Sequence, residues 1–247
     1  MKGNSTPAGA LDRVDAGTPY TGVDNLEVMK EAVRYNRYLL DLVIEYAGNA
    51  KSVIDVGAGG GTFAAPVSQA GFDVTALEPD DALRGKLAQL GLRAVSSAAE
   101  LPAGSFEYAY TLNVLEHITD DVAALRDVRR ILKPGASLLI YVPAFPVLYT
   151  SMDAKVGHIR RYKRDTLARS VTAAGFQIER VEYADSLGFF ATLLYRMTDR
   201  STGAINRRML AIYDRAIFPL SRALDRLTHR WFGKNLVLVA RNPAAAR

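Results

Sequence analysis

The chain has no cysteine among its 247 residues, so disulfides and thiolate chemistry are both excluded, and cysteine-based zinc sites go with them. Histidine is scarce: His117, His158 and His229 lie far apart and offer no metal-binding spacing, so no metal is expected. No uninterrupted apolar run approaches the roughly 20 residues that a membrane-spanning helix needs. Residues 1–22 are small, polar and rich in Gly, Pro, Ser and Thr, without the apolar core of a signal peptide. A flexible arm and a cytoplasmic protein are the expectation.

Acidic residues are sparse in one quarter only. From Arg196 onward eleven Lys or Arg face three acids, Asp199, Asp214 and Asp225, which leaves 20 basic and 23 acidic side chains before it. The basic excess therefore belongs to the C-terminal quarter, and the rest of the chain is slightly acidic. With 49% hydrophobic and 23% charged residues, the chain has ample material for a core.

What is present alternates. Helical spacing over 24–47 is followed by strand-like "SVIDVG", a helix over 62–70, "DVTALEP", a helix over 80–90, "LRAVSS" and "FEYAYTLN". A helix over 119–132, the strand "SLLIYVP", a helix over 164–174, and the strands "FQIERVEYAD" and "NLVLVARNP" complete the series. This alternation predicts an α/β fold, doubly wound on a mostly parallel sheet. Residues 23–247 read as one domain, with 188–233 a basic helical insert before the last strand.

The stretch "VIDVGAGGGT" ends the first strand in four glycines within five residues. In such sheets ligands sit outside the carboxyl ends of the strands, beside the first strand–helix turn. Gly57, Gly59, Gly60 and Gly61 would let the backbone turn tightly and approach a ligand closely. A dinucleotide fingerprint fails here, because Thr62 replaces its third small residue. Asp55, just ahead of the loop, would repel a pyrophosphate but attract an ammonium. An aminoacyl group joined to a nucleoside fits that acid better, which points to S-adenosylmethionine, with Glu78 accepting from both ribose hydroxyls. A glycine turn serving only a tight connection is the bland alternative.

"VIDVGAGGGTF", "LEP", "AAELP" ahead of "SFEYAYTLNVLEHI", and "LRDVRRILKPGASLLIYVP" occur in an order that resembles the class I S-adenosylmethionine-dependent methyltransferases of the small-molecule type, across roughly residues 30–185. The resemblance implies a seven-stranded Rossmann-like sheet with S-adenosyl-L-methionine as donor. It places Asp55, Gly57, Ala58 and Gly59 at the methionine part and Glu78 with Pro79 at the ribose. Ser97 stands where many relatives carry an acid near the adenine amine, and Ala98 offers its backbone there instead. Asn113, Val114 and His117 would line the methionine side, with His117 equally readable as structural and Glu116 as structural.

After the fifth strand, "DAKVGHIRRY" resembles a pattern of one branch of these enzymes. It implies His158 and Tyr162 as catalytic, His158 as a general base, and Asp153 and Arg161 as acceptor contacts. Arg160 and Arg161 suit a carboxylate or phosphate. The alternative is a solvated basic loop. Tyr35 and Asn36 would close over the donor from the N-terminal helix, unless Tyr35 belongs to that helix's core face. The insert reads as a substrate lid, a dimer or partner surface, or an interfacial helix seeking anionic lipid. The acceptor is expected to be a small molecule taking methyl on O or N, anionic or amphipathic.

Two rivals remain. A nucleic-acid methyltransferase would suit the basic pI, but "LNVLEHI" has no proline or aromatic to clamp a flipped base. A non-catalytic scaffold would keep the donor site without transferring methyl.

Overall fold

The computed structural model describes residues 28–198, 203 and 206–244. The expected arm over 1–22, and the start of the helix expected from residue 24, lie outside the described residues.

Seven strands form, mostly from buried apolar runs at the centre and with the more exposed β3 and β6 at the edges: β1 (Ser52–Val56), β2 (Asp73–Leu77), β3 (Arg93–Val95), β4 (Phe106–Leu112), β5 (Leu132–Pro143), β6 (Gln177–Ala184) and β7 (Asn235–Arg241). They lie in one sheet in the order β3-β2-β1-β4-β5-β7-β6. All run parallel except β7, which is antiparallel to both its neighbours. The last strand of the chain thus inserts between β5 and β6, and it is buried except at Arg241. Helices cover both faces, as parallel strands require: α1 (Val33–Ala47), α2 (Ala64–Gln69) and α3 (Asp81–Gln89) come first, then α4 (Asp121–Ile131), α5 (Ser151–Lys155) and α6 (Arg164–Ala173). Leu39, Val43 and Ala47 recur every four residues on the buried side of α1 and meet Val53, Tyr108 and Leu139 in the core of one face.

Several boundaries differ from expectation. The helix expected over 24–47 is interrupted by a turn at 30–32, so α1 begins only at Val33. The helix expected to reach 132 stops at Ile131, because Leu132 already pairs with Phe106, and β5 therefore starts five residues before Ser137. β3 is shorter than "LRAVSS": the Glu100 carboxylate takes the N–H groups of Ser96 and Ser97 into a turn instead.

Between β6 and β7 stand α7 (Ser186–Thr198), α8 (Arg207–Ile212), a π-helical turn (Tyr213–Ile217) and α9 (Phe218–Thr228). Buried acids tie this insert down. Asp214 accepts from the backbone N–H groups of Arg34 and Tyr35 at 3.0 and 2.9 Å, capping the start of α1 across 180 residues. Asp225 does the same for Asp185 and Ser186 at the start of α7. Among the described residues, no helix is long and apolar enough to cross a membrane.

Candidate active site

β1 delivers Asp55 to the carboxyl edge of the sheet, 3% exposed, where its Oδ2 accepts from the Tyr110 hydroxyl at 2.9 Å. Burial pushes the Asp55 carboxyl up to about 7; Tyr110 opposes that rise and the nearby Glu78 adds to it. The chain then turns through Gly57 at φ +79°, and its N–H returns to the Leu77 carbonyl at 2.8 Å. A Cβ on Gly57 would lie 2.5 Å from a Val114 methyl, so only glycine lets the loops after β1 and β4 approach this closely. Gly59 also has positive φ, yet a Cβ there would meet nothing within 4 Å. The space above Gly59 is open.

Glu78, at the end of β2, clamps this loop. Its Oε2 accepts from Gly59 N–H at 2.8 Å and its Oε1 from Asp80 N–H at 3.0 Å. Burial raises its pKa, and these two backbone donors oppose the rise. An ionised carboxylate has about four acceptor positions, so two remain for a ribose diol. The carbonyl of Pro79, the next residue, accepts from Arg84 at 2.5 Å. Ser97 accepts from Ala99 N–H at 3.1 Å as the cap of a short 3-10 turn; Ala98 is buried and its carbonyl is engaged by Arg130. Asn113 holds a left-handed backbone at φ +55°, with its N–H on the Tyr141 carbonyl at 2.8 Å.

The loop after β5 is arranged differently from the expectation. Arg161 spends its fork on Asp153, with Nε to Oδ1 at 2.8 Å and Nη2 to Oδ2 at 3.0 Å, both side chains nearly fully buried. Burial alone would raise the Asp153 carboxyl, but His158 and Arg161 hold it well below the usual range. Arg160 donates to the Thr119 carbonyl at 2.7 Å. The acceptor contacts expected of Asp153 and Arg161 are therefore committed to each other. Tyr162 is 2% exposed, and its hydroxyl donates toward Asp121 and the Leu115 carbonyl, so its placement is that of a core residue and not the expected catalytic one. His158 bonds Asp153 Oδ1 through Nδ1 at 2.7 Å, and its Nε2 faces Glu116 Oε1 at 3.7 Å. A general base needs that nitrogen aimed at substrate, and here it is aimed at a buried carboxyl. His117 turns its Nδ1 to the Gly157 carbonyl at 3.2 Å, away from the methionine side expected for it, and burial with His158 nearby lowers it to about 4.

Tyr35 packs edge-on against Tyr141 and Phe218, with ring centroids 6.2 and 5.5 Å apart, joining α1 to the insert. Asn36 donates to the Met29 carbonyl at 2.9 Å and so closes its own preceding turn rather than the donor. Sequence reasoning missed Asp185, Asp214, Asp225 and Lys234. For Asp214 and Asp225 the available signal was an acid standing in a basic segment, since a buried acid needs a partner; no such signal marked Asp185 or Lys234.

Residues 29–181 match the family model described as "Methyltransferase domain", and the chain belongs to that family. It is 34% identical over 148 residues to an uncharacterized protein of Mycobacterium tuberculosis strain H37Rv, covering 55% of this chain and 50% of that one. Against the ubiquinone biosynthesis O-methyltransferase of Pseudomonas paraeruginosa the identity is 32% over 117 residues, 42% of this chain and 50% of that one. The chain thus spans about half the length of these curated relatives. Its fold matches the Burkholderia thailandensis 1,6-didemethyltoxoflavin-N1-methyltransferase, solved with S-adenosylhomocysteine, at a TM-score of 0.56, with 18% identity and coverage of 95% and 88%. Residues 29–181 are thus a methyltransferase domain, built on a Rossmann-like fold.

Glu78→Gln is expected to weaken S-adenosylhomocysteine roughly 10- to 100-fold, the scale of hydrogen bonds to a charged acceptor. Calorimetric titration reads this directly, and an affinity equal to wild type would reject Glu78 as the ribose acceptor.

Proposed function

We propose that the enzyme methylates an oxygen or nitrogen of a small amphipathic acceptor that reaches the site from an anionic lipid interface. The donor when bound supplies an electrophilic methyl carbon. The protein's part is to hold acceptor and donor in line and keep water out, which can carry much of an in-line displacement. Asp55 and Glu78 would hold the donor, and the insert would cover the acceptor.

The observation that carries this reading is the orientation of the insert. Its second half buries polar Asp214, Ser221, Asp225 and Thr228 beside a single large apolar anchor, Phe218. Ile212, Leu220, Leu227 and Trp231 stand 55–71% exposed at near-helical spacing, with Arg215, Arg226 and Arg230 beside them on the exposed side. An apolar stripe edged by cations suits the headgroup region of an anionic membrane. The floor beneath is polar. Asp185 Oδ2, Ser186 Oγ and Asn235 Nδ2 are buried at the carboxyl edge without hydrogen-bond partners, and an acceptor's polar end would satisfy such groups.

With radiolabelled donor and a mixed pool of acceptors, the expected label is in an organic-extractable product. Label confined to water-soluble metabolites or to nucleic acid would overturn the amphipathic reading. In co-sedimentation, vesicles containing phosphatidylglycerol should retain the protein and pure phosphatidylcholine vesicles should not. Leu227→Asp should lower retention more than tenfold, because it removes roughly 1.5–3 kcal/mol of apolar burial. Equal retention by the variant would sink the interface.

A further inference from the structure

We propose that Glu116, His117 and His158 form a binding site for a divalent transition-metal cation. The adjacent Glu116 and His117 are carried by the 3-10 turn after β4, and His158 comes from the loop after β5, 41 residues later. The fold brings one ligand atom of each to within 4.8 Å of the other two. The His158 Nε2 to Glu116 Oε1 separation is 3.7 Å. Two ligands on a tetrahedral zinc ion, at bond lengths of roughly 2.0–2.2 Å, stand about 3.4 Å apart, so side-chain adjustments of about an ångström close the shell.

Glu116 is the independent pointer. It is fully buried, and neither carboxyl oxygen has a hydrogen-bond partner. A buried polar group left in that state costs about 1–3 kcal/mol or more. The cation nearest in chemistry, the Arg161 guanidinium, is already committed to Asp153. A metal ion would satisfy the orphaned carboxyl.

The outer shell is what such a site requires. Metal-bound histidines pass their second nitrogen to a carboxylate or a backbone carbonyl, which sets the tautomer and aims the ligating nitrogen. His158 gives Nδ1 to Asp153 at 2.7 Å, and His117 gives Nδ1 to the Gly157 carbonyl at 3.2 Å. Both lone pairs then fall on Nε2. The backbone fixes the pair of loops: Ile159 N–H donates to the Glu116 carbonyl at 2.9 Å, and Tyr149 hydroxyl to the His158 carbonyl at 2.6 Å. Two imidazoles and one carboxylate suit Zn2+, Co2+ or Fe2+ and disfavour Mg2+ or Ca2+, which take oxygen ligands. Three protein ligands leave a coordination position for an acceptor oxygen or water.

The test uses the full chain stripped with chelator and titrated with Co2+, with no methyl transfer involved, so it stands apart from the acceptor reading. Folded wild-type protein should take up one Co2+ per chain, with the d–d absorption of nitrogen-ligated cobalt, and Zn2+ should displace it. Glu116→Gln, nearly isosteric, and His158→Ala should each lower affinity at least 100-fold, and Asp153→Asn by about 10- to 100-fold. His229→Ala, outside the site, should leave it unchanged. Absence of stoichiometric uptake by wild-type protein that still melts cooperatively overturns the site, whatever the variants do. Uptake that survives both ligand substitutions equally overturns it.

Discussion

Asp55→Asn should lose S-adenosylhomocysteine binding by two orders of magnitude and yet make the donor-free protein more stable at pH 8. Both effects follow from one buried carboxyl. Folded, it titrates at about 7; unfolded, near the ordinary aspartate value of 3.8. A carboxyl raised by folding is protonated more readily in the folded state, so stability falls as pH rises from about 4 to about 7 and is level above that. The fall is on the order of a few kcal/mol for this group. Glu116, raised to about 8 chiefly by burial, contributes in the same sense and is untouched by the substitution. Asparagine removes the part due to Asp55. The same carboxylate, once ionised, would receive the donor's ammonium, so wild-type affinity should climb about tenfold per pH unit below 7 and level off above it. The variant should show no such climb. Calorimetry between pH 5.5 and 8.5, with melting curves alongside, checks both halves. A variant that binds as tightly as wild type would remove Asp55 from the donor site.

The second large effect lies in the loop after β5. Arg161→Ala strips the guanidinium from Asp153 and leaves a carboxylate, 2% exposed, with only His158 and the Thr150 backbone and hydroxyl donors. Breaking a buried pair on one side costs about 3–5 kcal/mol, because the partner's charge is left uncompensated. For a domain of this size that is roughly a 10 °C fall in melting temperature. Asp153→Asn placed on top of Arg161→Ala removes the stranded charge, so the double variant should melt higher than the sum of the singles requires. The wild-type pair should resist acid, since a carboxyl depressed by folding contributes stability that is present above its unfolded pKa and lost only as pH falls through the folded one. Additive singles would mean that water reaches the pair.

The strand ends that carry Asp55 and Glu78 were legible in the sequence because their signals are local. "VIDVGAGGGT" places a buried strand, an acid and a sharp turn within ten consecutive residues, and Glu78 sits one residue beyond the strand that pairs with them. The periodicities that mark helices also hold, since burial of one face acts over a few turns. The other half was illegible because its contacts span long distances in the chain. Nothing near Asp214 reveals that it caps a helix 180 residues earlier. The antiparallel entry of β7 between β5 and β6 leaves no mark on an apolar run that would read alike in either direction. The GHIRRY segment misled for a related reason. Its titratable and cationic side chains invite chemistry when read singly, while in space Arg161 and His158 converge on Asp153 and Tyr162 turns into the core.

The insert leaves the sheet and returns to it at almost the same point. Ala184 and Asn235 are paired across β6 and β7, and Lys234 N–H donates to the Asp185 carbonyl at 2.9 Å. The excursion between them is therefore a cassette whose ends need not move when its length changes, provided that a replacement again caps α1 as Asp214 does and fills the place of Phe218. Loop closure tolerates such exchange, since doubling the length costs only about 0.6 kcal/mol. Asp55 and Glu78 stand on β1 and β2, on the far side of β4 and β5 from the splice. The proposed cover for the acceptor thus stands on a different part of the sheet from the two acids proposed to hold the donor.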